Sequence, residues 1–300
     1  MPARLSGVGL PWGWRPESTS RIVNIFFVCG APKSGTTWVQ RILDEHPEVC
    51  CSGEGHFIER FTAPLSKVIN SYNQQMSMET EQVYEGKPVY AQVDQAEFDA
   101  TCRVFMMGRM ASRAAPGVRW LGDKTPRYTH QLAQLNRLFP EAKIIHIVRD
   151  PRDVAVSRLG HSNRVGVKDV FTPGTTNHDA EVRAAASGWT EAVSAVNAFA
   201  RHHPGLVYEL RYRDLSEDAM AETDRLFRFL GAEADRALLE QVTRATSFEV
   251  LTGRKRGEED GRSYFRKGLA DDWKNRLHPD AERIIRESCG ELMRQKGFAA

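Results

Sequence analysis

Short apolar runs alternating with amphipathic stretches set the pattern of this chain. Arg21–Gly30 (RIVNIFFVCG) is almost uniformly apolar and ends in glycine, which predicts a buried strand of a parallel sheet covered on both faces. Thr37–His46 then carries Trp38, Ile42 and Leu43 at helical spacing, and His46-Pro47 ends that helix. The unit recurs at Lys143–Val148 (KIIHIV), followed by Asp150 as N-cap, Pro151 at the first helical position and a helix through Val154, Ala155 and Arg158. Leu206–Leu210 (LVYEL) predicts a third strand. Arg183–His202 places Trp189, Val193, Val196 and Phe199 on one face of a long helix, and Asp214–Leu230 predicts another, stopped by Gly231. Strands alternating with helices predict an α/β fold: a central parallel sheet flanked by helices, with ligands beyond the carboxyl ends of its strands. Residues 60–100 are mixed in pattern. Ser162–Asp179 is long, polar and glycine-containing, and is expected to be a binding loop.

Composition refines this picture. With 300 residues, 41% hydrophobic and 27% charged, the chain can bury a sizeable core. Residues 21–300 are expected to form a single domain behind a flexible tail over 1–20, in which Trp12 and Trp14 are available to dock. A formal net charge of +2 argues against a nucleic-acid partner and requires that any bound anion be met by a local cluster of cations. The five cysteines are scattered without metal-ligand spacing, which reads as buried thiols in a reducing compartment; Cys50-Cys51 is read as packing near a strand rather than a redox pair. No run reaches the length of a membrane span, and the N-terminal residues lack the apolar stretch of a signal peptide, so a cytoplasmic protein is expected. The nine histidines show no repeated spacing, and no metal site is expected.

The chemistry starts in Gly30-Ala31-Pro32-Lys33-Ser34-Gly35-Thr36-Thr37, between the first strand and its helix. Its Gly-x4-Gly frame lets backbone N–H groups and a helix N-terminus converge on one anion, so the fold is of the phosphate-binding-loop type. A nucleoside-triphosphate hydrolase needs lysine directly after the second glycine, then Ser or Thr for a metal. Here Thr36 takes that place and the lysine stands earlier, at Lys33. KIIHIV leads into Arg149, not into a metal-binding aspartate. A nucleotide kinase or another phosphate-loop nucleotide-binding protein is therefore the alternative, not the preferred reading.

Pro32-Lys33-Ser34-Gly35-Thr36-Thr37-Trp38 resembles the 5'-phosphosulfate-binding loop of the sulfotransferases that use 3'-phosphoadenosine 5'-phosphosulfate (PAPS). Further stretches are similar to that family in order, from about residue 25 to residue 275. Arg149-Asp150-Pro151-Arg152-Asp153-Val154-Ala155-Val156-Ser157 resembles its 3'-phosphate segment, implying that Arg149 and Ser157 hold that phosphate; a planar guanidinium and a hydroxyl suit the task. A helix cap with surface ion pairs explains Asp150 and Asp153 better than it explains Arg149. Arg211-Tyr212-Arg213-Asp214-Leu215 resembles the corner where a tyrosine reaches the adenine. Ala245-Thr246-Ser247-Phe248 resembles the adenine-contacting loop, with Phe248 stacked on the base. Arg266-Lys267-Gly268, within a segment ending Asp272-Trp273-Lys274-Asn275, is similar to the family's closing motif and by that resemblance completes the 3'-phosphate site. This chain has Asp271 where the family usually carries a second glycine.

Sulfuryl transfer asks for in-line placement, cations over the developing charge and a base for the acceptor proton. The resemblance assigns Lys33 and Lys124 as the cations. In the small-molecule branch a catalytic histidine follows the Lys-Thr pair, but here Pro126 follows. Gly122-Asp123-Lys124-Thr125-Pro126 instead resembles the glycosaminoglycan-modifying branch and many bacterial members, which take their base from a glutamate in a Glu-x-His-Phe context. Glu54-Gly55-His56-Phe57 stands at the corresponding place, so Glu54 is the expected general base, with His56 as second candidate; the plainer reading is that Glu54 only pairs with an active-site lysine. The expected reaction is transfer of a sulfuryl group from PAPS, leaving 3'-phosphoadenosine 5'-phosphate (PAP), to a hydroxyl or, second, an amine of a small molecule, lipid or carbohydrate. Residues 55–100 and 160–180 are expected to wall the acceptor pocket, where no motif names a chemical class or an oligomeric state.

Overall fold

A computed structural model describes residues 23–88, 90–258, 260 and 267–299. The expected tail, with Trp12 and Trp14, and the candidate Arg266 lie outside the described residues. In chain order the elements are β1 (Asn24–Cys29), α1 (Thr36–Asp44), β2 (Val49–Ser52), α2 (Ala63–Gln82), α3 (Gln95–Ala111), β3 (Trp120–Lys124), α4 (Leu132–Leu138), β4 (Lys143–Val148), α5 (Pro151–Arg164), α6 (Thr176–His202), β5 (Val207–Arg211), α7 (Tyr212–Glu217), α8 (Ala219–Leu230), α9 (Arg236–Ala245), α10 (Phe248–Thr252) and α11 (Pro279–Gln295).

The five strands form one parallel sheet in the order β2-β3-β1-β4-β5. Alternation along β1 splits the core. Ile25, Phe27 and Cys29 face a cluster built with α3 and α4, while Phe26 and Val28 face α1 and α8. A third cluster joins α5, α6 and α11 around the buried Trp189. Gly122 in β3 is required by close packing, because a Cβ there would lie 2.2 Å from the Phe26 ring.

The expected strands and first helices appear within a few residues of their predicted bounds, whereas three stretches differ. The helix expected over Asp214–Leu230 is two helices, because Asp218 leaves the helical region and its carboxylate caps α8 through the Ala221 N–H. The loop expected over Ser162–Asp179 shrinks to residues 165–175: α5 continues to Arg164, and the Thr175 hydroxyl caps α6. Residues 60–100 are largely helical. A π-helical turn, Ile58–Thr62, leads into α2, which buries no side chain fully and meets the core only through the half-buried Leu65 and Ile69, a weak stripe to read. The helix α3 opens with a capping box between Asp94 and Glu97.

Candidate active site

Every strand delivers a candidate residue at or just past its carboxyl end, as parallel sheets of this kind do. Past β1 lies the glycine loop; past β2, Glu54; at the end of β3, Lys124; past β4, Arg149; past β5, Tyr212. Loop geometry explains its glycines. At Gly30 a Cβ would meet the Ile147 carbonyl oxygen at 2.6 Å, and at Gly35, with φ +103°, the Tyr212 ring at 2.8 Å. Lys33 itself is left-handed, at φ 76°. With Gly35 as its N-cap, α1 starts without a side-chain cap, which leaves its positive end available to an anion. Ser34 Oγ is buried inside the loop with no hydrogen-bond partner, as expected of a donor reserved for a ligand. Pro32 is exposed and does not line the cleft.

One cleft gathers most of the remaining candidates: Lys33, Gly35, Thr36, Thr37 and Trp38 from the loop, Arg149 and Ser157, Tyr212, Thr246 to Phe248, and Lys267 with Gly268. Trp38 Nε1 donates to the Thr246 carbonyl at 2.9 Å and meets the Tyr212 ring edge-on at 5.6 Å, so three of the predicted segments lock together. The Arg149 guanidinium lies 4.3 Å from the Tyr212 centroid, and donates to the carbonyl oxygens of Lys33 at 3.3 Å and Leu269 at 2.8 Å. Its Nε has no hydrogen-bond partner. The Ser247 hydroxyl caps α10, so Phe248 begins a helix instead of lying in an open loop.

Asp153, expected to serve a helix cap or surface ion pair, receives the closing segment. Its carboxylate accepts the Asp271 N–H at 2.9 Å and the Trp273 N–H at 3.0 Å. Asp271 occupies the left-handed region, φ 61°, the conformation that glycine supplies without strain. Ion pairs with Arg213 at 2.6 Å and Lys274 at 3.4 Å hold the aspartate there, so the departure from glycine leaves the turn intact.

On the other side of the loop, Lys124 Nζ donates to Glu54 Oε1 at 2.5 Å, with the lysine side chain only 4% exposed. His56 Nε2 lies 3.2 Å from Glu54 Oε2, so both base candidates sit in one cluster. Burial, with help from Arg164 and Arg158, pushes the Lys33 ammonium below the usual lysine range, while the Glu54 charge acts the other way. Burial likewise lowers His161, and Lys33, Arg164 and Arg158 lower it further. The carboxyl-terminal half of α5 thus adds positive potential beside Lys33, and Arg164 does so from within the segment expected to be a loop.

Asp123 was passed over in the motif Asp-Lys-Thr-Pro. Burial raises its carboxyl to about 6, against hydrogen bonds from Tyr128, Thr125 and Gly55 that favour the charge. Arg256 was also missed; it lines the cleft, donates to the Gly268 carbonyl at 2.8 Å and to the Ser216 carbonyl at 3.1 Å, and its basic run Arg254-Lys255-Arg256 was the available signal.

A family model described as the Sulfotransferase family matches residues 26–236. Protein-tyrosine sulfotransferase 2 of Gallus gallus is 32% identical over 133 residues, covering 44% of this chain and 33% of that protein. Protein-tyrosine sulfotransferase 1 of Homo sapiens is 29% identical over 128 residues, covering 43% and 32%. The chain therefore spans about a third of the length of these curated relatives. Among solved structures, a mouse sulfotransferase complexed with PAP superposes with a TM-score of 0.55 at 20% identity, covering 90% of this chain and 85% of that one. The sulfotransferase domain from the curacin biosynthetic pathway gives 0.54 at 20% identity, covering 93% and 99%. These likenesses bear out the α/β fold with a central parallel sheet.

Proposed function

The chain belongs to the sulfotransferase family, and from that premise we propose that it transfers a sulfuryl group from PAPS to a hydroxyl, by in-line displacement at the carboxyl ends of β1, β2 and β3. The observation that carries this reading is the single cleft in which motifs from five parts of the chain meet. The loop Pro32–Trp38 would hold the 5'-phosphosulfate through backbone N–H groups and the hydroxyls of Ser34, Thr36 and Thr37. Arg149, Ser157, Lys267 and Gly268 would hold the 3'-phosphate, joined by Arg256. Trp38, Tyr212, Thr246, Ser247 and Phe248 would enclose the adenine.

Lys33 and Lys124 stabilise the charge that develops on the equatorial and bridging oxygens, and Glu54 takes the acceptor proton. The 2.5 Å contact between Lys124 and Glu54 supports both roles at once. It would hold the carboxylate beside the lysine, where an acceptor hydroxyl would meet the sulfuryl group. His56, at 3.2 Å from Glu54, orients that carboxylate. The acceptor is taken to be a hydroxyl of a small molecule, lipid or carbohydrate. The relatives named protein-tyrosine sulfotransferases add a peptide phenol to the acceptors worth testing. No helix among the described residues is long and apolar enough to cross a membrane.

Titration calorimetry with PAP and with ATP tests the donor assignment. PAP should bind at least tenfold more tightly than ATP, and Arg149→Ala should abolish that preference. Equal binding of both, or tighter ATP binding that depends on Mg²⁺, would favour the nucleotide-kinase reading.

A further inference from the structure

The strand end that carries Lys124 also holds a template for the loop that carries Glu54. Asp123 is 1% exposed, and its two carboxylate oxygens divide three donors between them. Oδ1 accepts the Thr125 hydroxyl at 2.9 Å and the Tyr128 hydroxyl at 2.7 Å, while Oδ2 accepts the Gly55 N–H at 2.9 Å. Thr125 Oγ1 in turn accepts the His56 N–H at 3.4 Å. Two consecutive backbone N–H groups, at 55 and 56, are therefore met in order by side chains at 123 and 125, and Tyr128 holds the Asp123 carboxylate from behind.

The fit leaves little freedom. A Cβ at residue 55 would lie 2.9 Å from Asp123 Oδ2 and 2.6 Å from the Phe57 ring, so only glycine permits this approach. His56 is held at φ 48°, a strained conformation for a residue with a Cβ. Tyr128 is itself anchored, fully buried and edge-on to Phe27 at 5.4 Å. Such an arrangement commits a buried carboxylate to one loop, and the residue adjoining that loop contact is Glu54.

We infer that Asp123 is a positioning residue: held by Tyr128 and acting with Thr125, it fixes the backbone of Gly55 and His56, and so sets the Glu54 carboxylate against Lys124 and the acceptor hydroxyl. It touches no reacting atom and lies outside the nucleotide cleft. The inference rests on the reading of Glu54 as base.

The test is a double-mutant cycle between Asp123→Asn and Glu54→Gln, read as single-turnover transfer from saturating PAPS, with PAP affinity measured beside it. Asparagine keeps the size but presents a donor where Oδ1 or Oδ2 must accept, so Asp123→Asn should lower the transfer rate at least tenfold and leave PAP affinity within twofold. On the Glu54→Gln background the same change should have almost no further effect, because both act through one carboxylate. Multiplicative losses, a wild-type rate in Asp123→Asn, or a parallel loss of PAP affinity would overturn the inference while leaving Glu54 as base. A wild-type rate in Glu54→Gln alone would overturn both. Tyr128→Phe keeps the packing and removes one donor. If Asp123→Asn does not fold, Tyr128→Phe should lower the rate severalfold at constant PAP affinity, and an unchanged rate there would equally overturn the inference.

Discussion

Gly268→Ala is the change that should weaken nucleotide binding most for the least chemistry. Gly268 sits at φ +69°, and a Cβ built there would lie 2.4 Å from Phe248 Cδ2, 2.8 Å from Cγ and 3.0 Å from Cε2. Two costs follow. An L-residue in the left-handed region costs about 1–2 kcal/mol. Displacing the Phe248 ring would forfeit its proposed stacking on the adenine, worth about 1–3 kcal/mol. The backbone strain is carried with and without ligand and lowers stability, so the ring displacement alone predicts PAP binding weaker by about 1–3 kcal/mol, roughly 5- to 150-fold in Kd. Gly253→Ala supplies the control, since Gly253 has the same φ of +69° with nothing within 4 Å. It carries the backbone strain alone, so Gly268→Ala should exceed it by about 1–3 kcal/mol, roughly 5- to 150-fold. Calorimetric titration with PAP reads both, and melting curves without ligand show that each variant is folded. Equal Kd values for the two variants would refute the claim that the closing segment works through Phe248.

Two further outcomes follow from the site. Lys33→Ala should lower kcat/KM for PAPS by roughly 10²–10³, the usual loss when one preorganised charge-stabilising group is removed. The loss should be similar for every acceptor, and a loss confined to one acceptor would contradict its place at the bridging oxygen. Asp123 should also leave a mark on stability. Burial raises its folded-state value to about 6 from 3.8, so the folded chain holds this proton more tightly than the unfolded chain. The stability it contributes is greatest at low pH and is lost as pH rises through about 6, a loss of about 1 kcal/mol between about pH 5 and pH 7. Urea unfolding of Asp123→Asn should lack that part of the pH slope; an unchanged slope would contradict the buried, hydrogen-bonded state of the carboxyl.

The parts that could be read in advance share a physical cause. KIIHIV and the run through Phe26 and Phe27 are buried on both faces, so their apolar character is continuous and their bounds are clear. The phosphate loop could be read because its Gly-x4-Gly frame is contiguous in the sequence, although the groups that require those glycines, the Ile147 carbonyl beside Gly30 and the Tyr212 ring beside Gly35, come from distant parts of the chain. What escaped was set by tertiary contacts. The strands β2 and β3 are four and five residues long, and β3 ends in Gly-Asp-Lys, which reads as a turn until the sheet buries it. The break at Asp218 lies inside a helical pattern, and no local signal set its capping role apart. Glu54 could be placed only by resemblance. Its contact with Lys124 spans 70 residues and exists because β2 pairs with β3. Asp123 was invisible for the same reason: its partner N–H belongs to a loop 68 residues away.

The central claim is sulfuryl transfer from PAPS with Glu54 as base, and one measurement reaches it directly. Transfer of labelled sulfate from PAPS to a panel of phenols, tyrosine peptides, sugars and amines, run with and without a chelator, should give labelled product with at least one hydroxyl acceptor. That rate should be unaffected by the chelator, and Glu54→Gln should lower it by roughly 10²–10⁴ while PAP still binds. No labelled product with any acceptor would contradict the transferase reading, and wild-type turnover in Glu54→Gln would contradict the base.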